Sequence, residues 1–185
     1  ALLTVIILLF SVSVFSQTHQ HDSAAKKDLD STLMRQAVPV EQAAKFGKLV
    51  IQDSGGRMKP ANTFASELIR KVSKSDTYQF LNADQVLLSI QQNPLLWYQV
   101  PFIYLKRGND SLRRLAGVDE KAKYASFVDF FNNDGTYKLA KPLEGAYKAA
   151  TPNQFQKDFI ETDRRINLLY SCLLYTSDAA DETTG

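Results

Sequence analysis

Apolar positions recur every three to four residues through most of the chain, interrupted by short β-prone runs and clusters of turn residues. Leu49, Val50 and Ile51 form one such run, Asp53-Ser54-Gly55-Gly56 is turn chemistry, and Arg57-Met58-Lys59 returns as a partner. That order predicts a β-hairpin near residues 48–59. Pro60 and Asn62-Thr63 then open a helix whose Phe64, Leu68, Ile69 and Val72 share one face, with Glu67, Arg70, Lys71 and Lys74 on the other. Asn82 followed by Gln85 has the spacing of a capping box for a helix carrying Val86, Leu87 and Ile90. It ends before Pro94, because proline disfavours helical geometry in Asn93.

Beyond it, Leu95 to Leu105 is rich in aromatics and broken by Pro101, which predicts an irregular buried segment followed by a short strand. Asn109 or Asp110 caps a short helix ending at Gly117, and a further helical turn carries Phe127, Val128 and Phe131. In the last helix Thr151 is the expected cap, Pro152 the first residue and Gln154 the third. Phe155, Phe159, Ile160, Ile166, Leu169 and Tyr170 make its stripe, and Lys157–Glu161 and Glu161–Arg165 are opposite charges one turn apart. Such pairs contribute only about 0.2–0.5 kcal/mol each, so this reads as a surface helix held by its stripe. The expected fold class is mainly α: a small helical extracytoplasmic domain with a short β-hairpin near residues 48–59, preceded by an N-terminal hydrophobic helix.

The two ends read differently from the middle. Ala1 to Phe15 is apolar apart from Thr4, Ser11 and Ser13, and a polar stretch follows Ser16. Fifteen helical residues reach roughly 22 Å, short of a bilayer core of about 30 Å, so the segment is a signal-peptide core or part of a spanning helix. Val14 and Ser16 stand where a signal peptidase would cut, which would release a domain beginning at Gln17. Residues 17–40 read as a polar linker with a short helix from Ser31 to Gln36. At the other end, Cys172 to Glu182 reads CLLYTSDAADE, which is similar to a translated sequencing adapter. Residues 172–185 are therefore set aside as an artefactual tail. The expected organisation is a membrane or signal-like segment at 1–16, a linker at 17–40, a helical domain at 41–171 and the tail.

Composition changes this picture little. The chain carries 22 Lys plus Arg against 20 Asp plus Glu, for a net charge of +2, which becomes +5 without the tail. These charges are interleaved rather than clustered, so nothing asks for nucleic acid. The one cysteine lies in the tail, leaving the rest without a disulfide or a thiol nucleophile. Eleven Phe, eight Tyr and one Trp supply bulk for a core.

Candidate chemistry is sparse. His19 and His21 are the two histidines, and they sit in the polar linker, where a solvated role outweighs haem ligation. The run Asp53-Ser54-Gly55-Gly56-Arg57 lacks the spacing of a phosphate loop and reads as a tight turn. Aligning Gly135 with the glycine of a calcium loop puts Phe130 and Lys141 where carboxylates are needed, so calcium is rejected. Asp158, Glu161 and Asp163 have the spacing of a solvated helix face, with no base or nucleophile beside them. No metal site, no cofactor site and no catalytic residue is assigned, and the chain is not expected to be an enzyme.

KFGKLVIQDSGGRMKPANTFASELIRKVSKSDTY (Lys45 to Tyr78) resembles the extracytoplasmic segment of fused CcsA/ResB-type cytochrome c biogenesis proteins of Bacteroidetes. The resemblance continues through Leu81 to Val118, Tyr124 to Glu144 and Pro152 to Ser171. It implies a partial chain of an inner-membrane protein that handles haem for attachment to apocytochrome c, with everything after Ser16 on the periplasmic side. In that family a similar apolar stretch lies inside a longer chain, which favours the spanning reading of Ala1 to Phe15. The family's haem-handling histidines and tryptophan-rich WWD segment belong to membrane parts and are carried onto no residue here. Haem is thus implied for the parent protein alone, and the implied partners are its remaining membrane portions and apocytochrome c. Within the family's most recognisable run, Asp53, Arg57, Lys59 and Asn62 are the expected interaction surface. The alternative is a secreted helical binding domain released after Ser16.

Overall fold

The computed structural model describes residues 26–53 and 55–181. The expected N-terminal hydrophobic helix, both histidines and Ser54 of the turn lie outside them. The chain divides into a unit Ala1–Gln36 and a unit Ala37–Gly185. In the first, residues 26–35 form helix α1. It begins at least five residues before the helix expected from Ser31, and Ser31 Oγ donates to the Asp28 carbonyl at 2.8 Å within it.

The second unit is mainly helical. Helix α2 (Val40–Gly47) leads into a hairpin of β1 (Val50–Gln52) and β2 (Met58–Pro60), followed by α3 (Ala61–Ser73). Strands β3 (Thr77–Tyr78) and β4 (Leu81–Asn82) pair ahead of α4 (Ala83–Gln92) and α5 (Pro94–Trp97). Strand β5 (Ile103–Tyr104) pairs antiparallel with β6 (Tyr124–Ala125) around α6 (Asp110–Ala116). A 3₁₀ turn (Val128–Phe130), α7 (Ala140–Lys148) and α8 (Gln154–Asp181) complete it.

Several elements form for the reasons legible in the sequence. Asn82 Oδ1 accepts from the Gln85 N–H at 3.0 Å while Gln85 Oε1 accepts from the Asn82 N–H at 3.2 Å, which completes the capping box. Asn109 Oδ1 caps α6 through the Leu112 N–H at 3.1 Å. Gly117 closes that helix at φ 78°, a conformation that costs glycine little. On α3, Ala65, Leu68, Ile69 and Val72 are buried.

Helix α8 departs most from expectation. Its cap is Asn153, whose Oδ1 accepts from the Gln156 N–H at 2.9 Å while Gln156 Oε1 accepts from the Asn153 N–H at 2.9 Å. A reciprocal pair satisfies two free donors, which the Thr151 arrangement does not achieve here, so the start lies two residues later. The helix also continues past Tyr170 to Asp181, with Leu173 buried and Cys172 packed beside Ala65, Leu68 and Leu87. It is not a surface helix: α3, α4, α5, α7 and β5 all pack against it. Phe155 and Tyr170 of the expected stripe are exposed, and buried Arg165 and Asp158 lie on its inner side. Glu161 takes Arg165 and Lys74 as ion partners, rather than Lys157.

Trp97 anchors the aromatic core. It meets Tyr78 and Phe102 edge-on at centroid distances of 5.4 and 5.2 Å, and its Nε1 donates to Ser89 Oγ at 3.0 Å. Such geometry satisfies the one polar atom of the indole and the ring quadrupoles together. Leu95, expected in the same buried segment, is 76% exposed on the outer side of α5. Among the described residues no helix is long and apolar enough to cross a membrane.

Candidate interaction surface

The hairpin owes its turn to Asp53. Its Oδ1 accepts from the Gly55 and Arg57 N–H groups at 2.9 and 3.0 Å, and the Gly56 N–H closes onto the Asp53 carbonyl at 2.9 Å. Gly56 takes φ 78°, which a side chain would strain. The register pairs Val50 with Pro60, Ile51 with Lys59 and Gln52 with Met58. Because side chains alternate across a sheet, Ile51 and Lys59 share the half-buried face, while Val50, Gln52, Met58 and Pro60 face outward.

Lys59 ties that inner face to α3. Its Nζ stands 3.0 Å from Asp53 Oδ2 and 2.9 Å from Glu67 Oε2. Hydrogen bonds from the Arg57 N–H and then from Lys59 hold the Asp53 carboxyl below its ordinary range. Glu67 is held low by Lys59, and Lys59 is held high by Glu67 first and Asp53 second. All three groups are therefore charged across the physiological range.

Of the four expected surface residues, the structure brings Asp53 and Lys59 together in this clasp. Arg57 is exposed at the turn, and its guanidinium has no partner among the described residues. Asn62 stands apart on the first turn of α3, where its Oδ1 accepts from Thr63 Oγ1 at 3.2 Å. It lines an open groove of about 490 Å³ with Ser66, Glu67, Arg70, Asn82 and Asp84. Glu67, expected on the outer face of α3, is the third member of the clasp; its spacing of eight from Lys59 joins two different elements and has no local signature.

Asp84 adds a close approach beneath this surface. A Cβ at Gly47 would lie 2.5 Å from Asp84 Oδ2 and 3.0 Å from the Asn62 Cβ, so glycine lets α2 sit against the start of α4. Burial raises the Asp84 carboxyl, and its Oδ1 has no hydrogen-bond partner among the described residues. The outward face is apolar: Val50 is 61% and Met58 66% exposed, with Leu49 exposed beside them.

The acidic residues read as solvated are instead structural. Asp158 is buried, accepts from Gln154 Nε2 at 2.8 Å and pairs with Lys106 at 3.2 Å. Asp163 accepts from Tyr137 Oη at 2.8 Å and Tyr147 Oη at 3.3 Å, joining the 137 loop and α7 to α8. In the rejected calcium loop, Asp134 accepts from the Thr136 N–H at 2.9 Å and closes a turn. Among the described residues no group of three or more His, Cys, Asp and Glu side chains is placed to hold a metal ion.

No protein-family model matches the chain. Protein NrfI of Wolinella succinogenes is 34% identical over 130 residues. The match takes in 69% of this chain and 14% of NrfI, so the chain spans a small part of the curated relative it resembles.

Proposed function

We propose that this chain is part of a protein of cytochrome c maturation and supplies it with an extracytoplasmic linking or interaction domain. The observation that carries this reading is the partial homology to NrfI over 130 residues, which agrees with the family resemblance of the run from Lys45 to Tyr78. The whole protein delivers haem for attachment to apocytochrome c, from the inner membrane, with this domain on the periplasmic side. Haem handling and any lyase chemistry reside in its other portions, and this domain is not itself an enzyme.

The hairpin supplies the contact. Its clasp leaves Arg57 and the apolar outer face of β1 and β2 available, while Asp53 and Lys59 hold the turn in shape. The partners are the membrane portions of the same protein and apocytochrome c. Replacing Arg57 by Ala in the full-length protein tests the assignment, with c-type cytochromes read by haem staining of denaturing gels. Loss of covalent haem with unchanged protein level supports a docking role. Full maturation by Arg57→Ala sinks it.

A further inference from the structure

A second feature, independent of the assembly role, lies at the C-terminal end of α3, whereas the hairpin leads into its N-terminal end. Lys74, Tyr104, Lys106, Lys123, Glu161 and Arg165 line a groove of about 420 Å³. The four cations come from four places. Lys74 is the left-handed cap of α3 at φ 58°, and Arg165 stands on α8. Lys106 and Lys123 flank the β5–β6 ladder, where the Leu105 N–H donates to the Lys123 carbonyl at 2.9 Å. Against them stand Glu161 in the lining and Asp158 behind Lys106 at 3.2 Å, which leaves an excess of positive charge. An excess of one sign of charge around an open groove attracts an incoming anion.

Arg165 distinguishes this groove from an ordinary solvated basic face. Its side chain is 4% exposed. Nη1 donates to the Tyr104 carbonyl at 3.1 Å and Nη2 to Glu161 Oε1, but Nε has no partner among the described residues. The Nε–Nη2 edge of a guanidinium is the edge that takes a carboxylate or phosphate through two parallel bonds. Here one of the two is made. Glu161 is nearly half exposed and also lies 3.6 Å from Lys74, a second cation that can take its carboxylate.

We propose that this groove is an oxyanion-binding site for a small solute bearing a carboxylate or phosphate group. The oxyanion accepts from Nε and Nη2 of Arg165 above the Tyr104 ring, whose centroid lies 5.4 Å from the guanidinium carbon. Glu161 then moves onto Lys74, and Lys106 and Lys123 complete the positive surround.

The test is titration calorimetry of the full chain with citrate and with inorganic phosphate at constant ionic strength. Three variants accompany it: Lys74→Ala with Lys123→Ala, Glu161→Gln, and a control of Lys45→Ala with Lys48→Ala at the C-terminal end of α2, outside the groove lining. Saturable binding of either anion is expected, weakened about tenfold without Lys74 and Lys123, as loss of charge-assisted contacts implies. Glu161→Gln is expected to tighten binding, because it removes the competing carboxylate; a merely structural Glu161 gives no such gain. Preference for citrate identifies a carboxylate ligand and preference for phosphate a phosphate. Absence of saturation with both anions, equal binding by the lysine variant and the control, or weaker binding by a folded Glu161→Gln overturns the proposal.

Discussion

Trp97 is fully buried, and its Nε1 is satisfied by Ser89 Oγ. Trp97→Ala removes the ring that Tyr78 and Phe102 pack against and is expected to cost about 3–5 kcal/mol in urea denaturation. Ser89→Ala leaves the indole N–H unpaired and costs about 1–3 kcal/mol, the usual penalty for a stranded donor. Asn82 and Asn109 were legible as caps because their partners lie three residues on, within the reach of a sequence pattern. Arg165 was not. Its partner carbonyl is Tyr104, 61 positions away, so it read as a surface cation when it is a buried one. Arg113 is a parallel case, buried with its guanidinium donating to the Ala122, Lys106 and Asn109 carbonyls. A charged residue at helical spacing looks solvated until the loop that covers it is known.

At the scale of elements, the hairpin depends on charge and α7 on local geometry. Asp53 and Glu67 titrate lower in the fold than in the unfolded chain. Their contribution is therefore complete above the unfolded values and is lost as pH falls through the folded ones. Lys59 titrates higher in the fold, so its contribution is present below its unfolded value and is lost as pH rises through the folded one. Hydrogen exchange of the Arg57 and Gly55 amides, corrected for intrinsic rates, is expected to stay level near neutral pH. It should accelerate relative to the α4 amides at both extremes. Protection that instead changes between pH 6 and 8 contradicts the clasp. The hairpin was readable because Asp-Ser-Gly-Gly between two β-prone runs has one common outcome. Helix α7 was not, because Pro142 and Gly145 both argue against a helix. Pro142 is tolerated in the first turn, where its missing N–H needs no partner. Strands β3 and β4 were missed as well: their turn places Gln79 at φ 52°, without the glycine or asparagine that would mark it.

At the scale of the molecule, α8 is the element on which the second unit is assembled. Helices α3, α4, α5 and α7 and strand β5 all meet it. Phe159, Thr162, Ile166 and Leu169 are buried along it. Reading it as an outer helix followed from its charges one turn apart, when Asp158 and Arg165 are buried on its inner side. The mainly helical class and the hairpin were legible because local patterns specify them; the central place of α8 was not, since packing order leaves no mark in periodicity. The functional reading rests on a wider scale still, the homology to a small part of NrfI. Its most direct test is disruption of the gene in its source organism, followed by haem staining of membrane and periplasmic proteins. The account predicts loss of covalently bound haem from c-type cytochromes, with b-type haem spectra retained and recovery on complementation by the intact gene. A full complement of haem-bearing c-type cytochromes in the disrupted strain would contradict it.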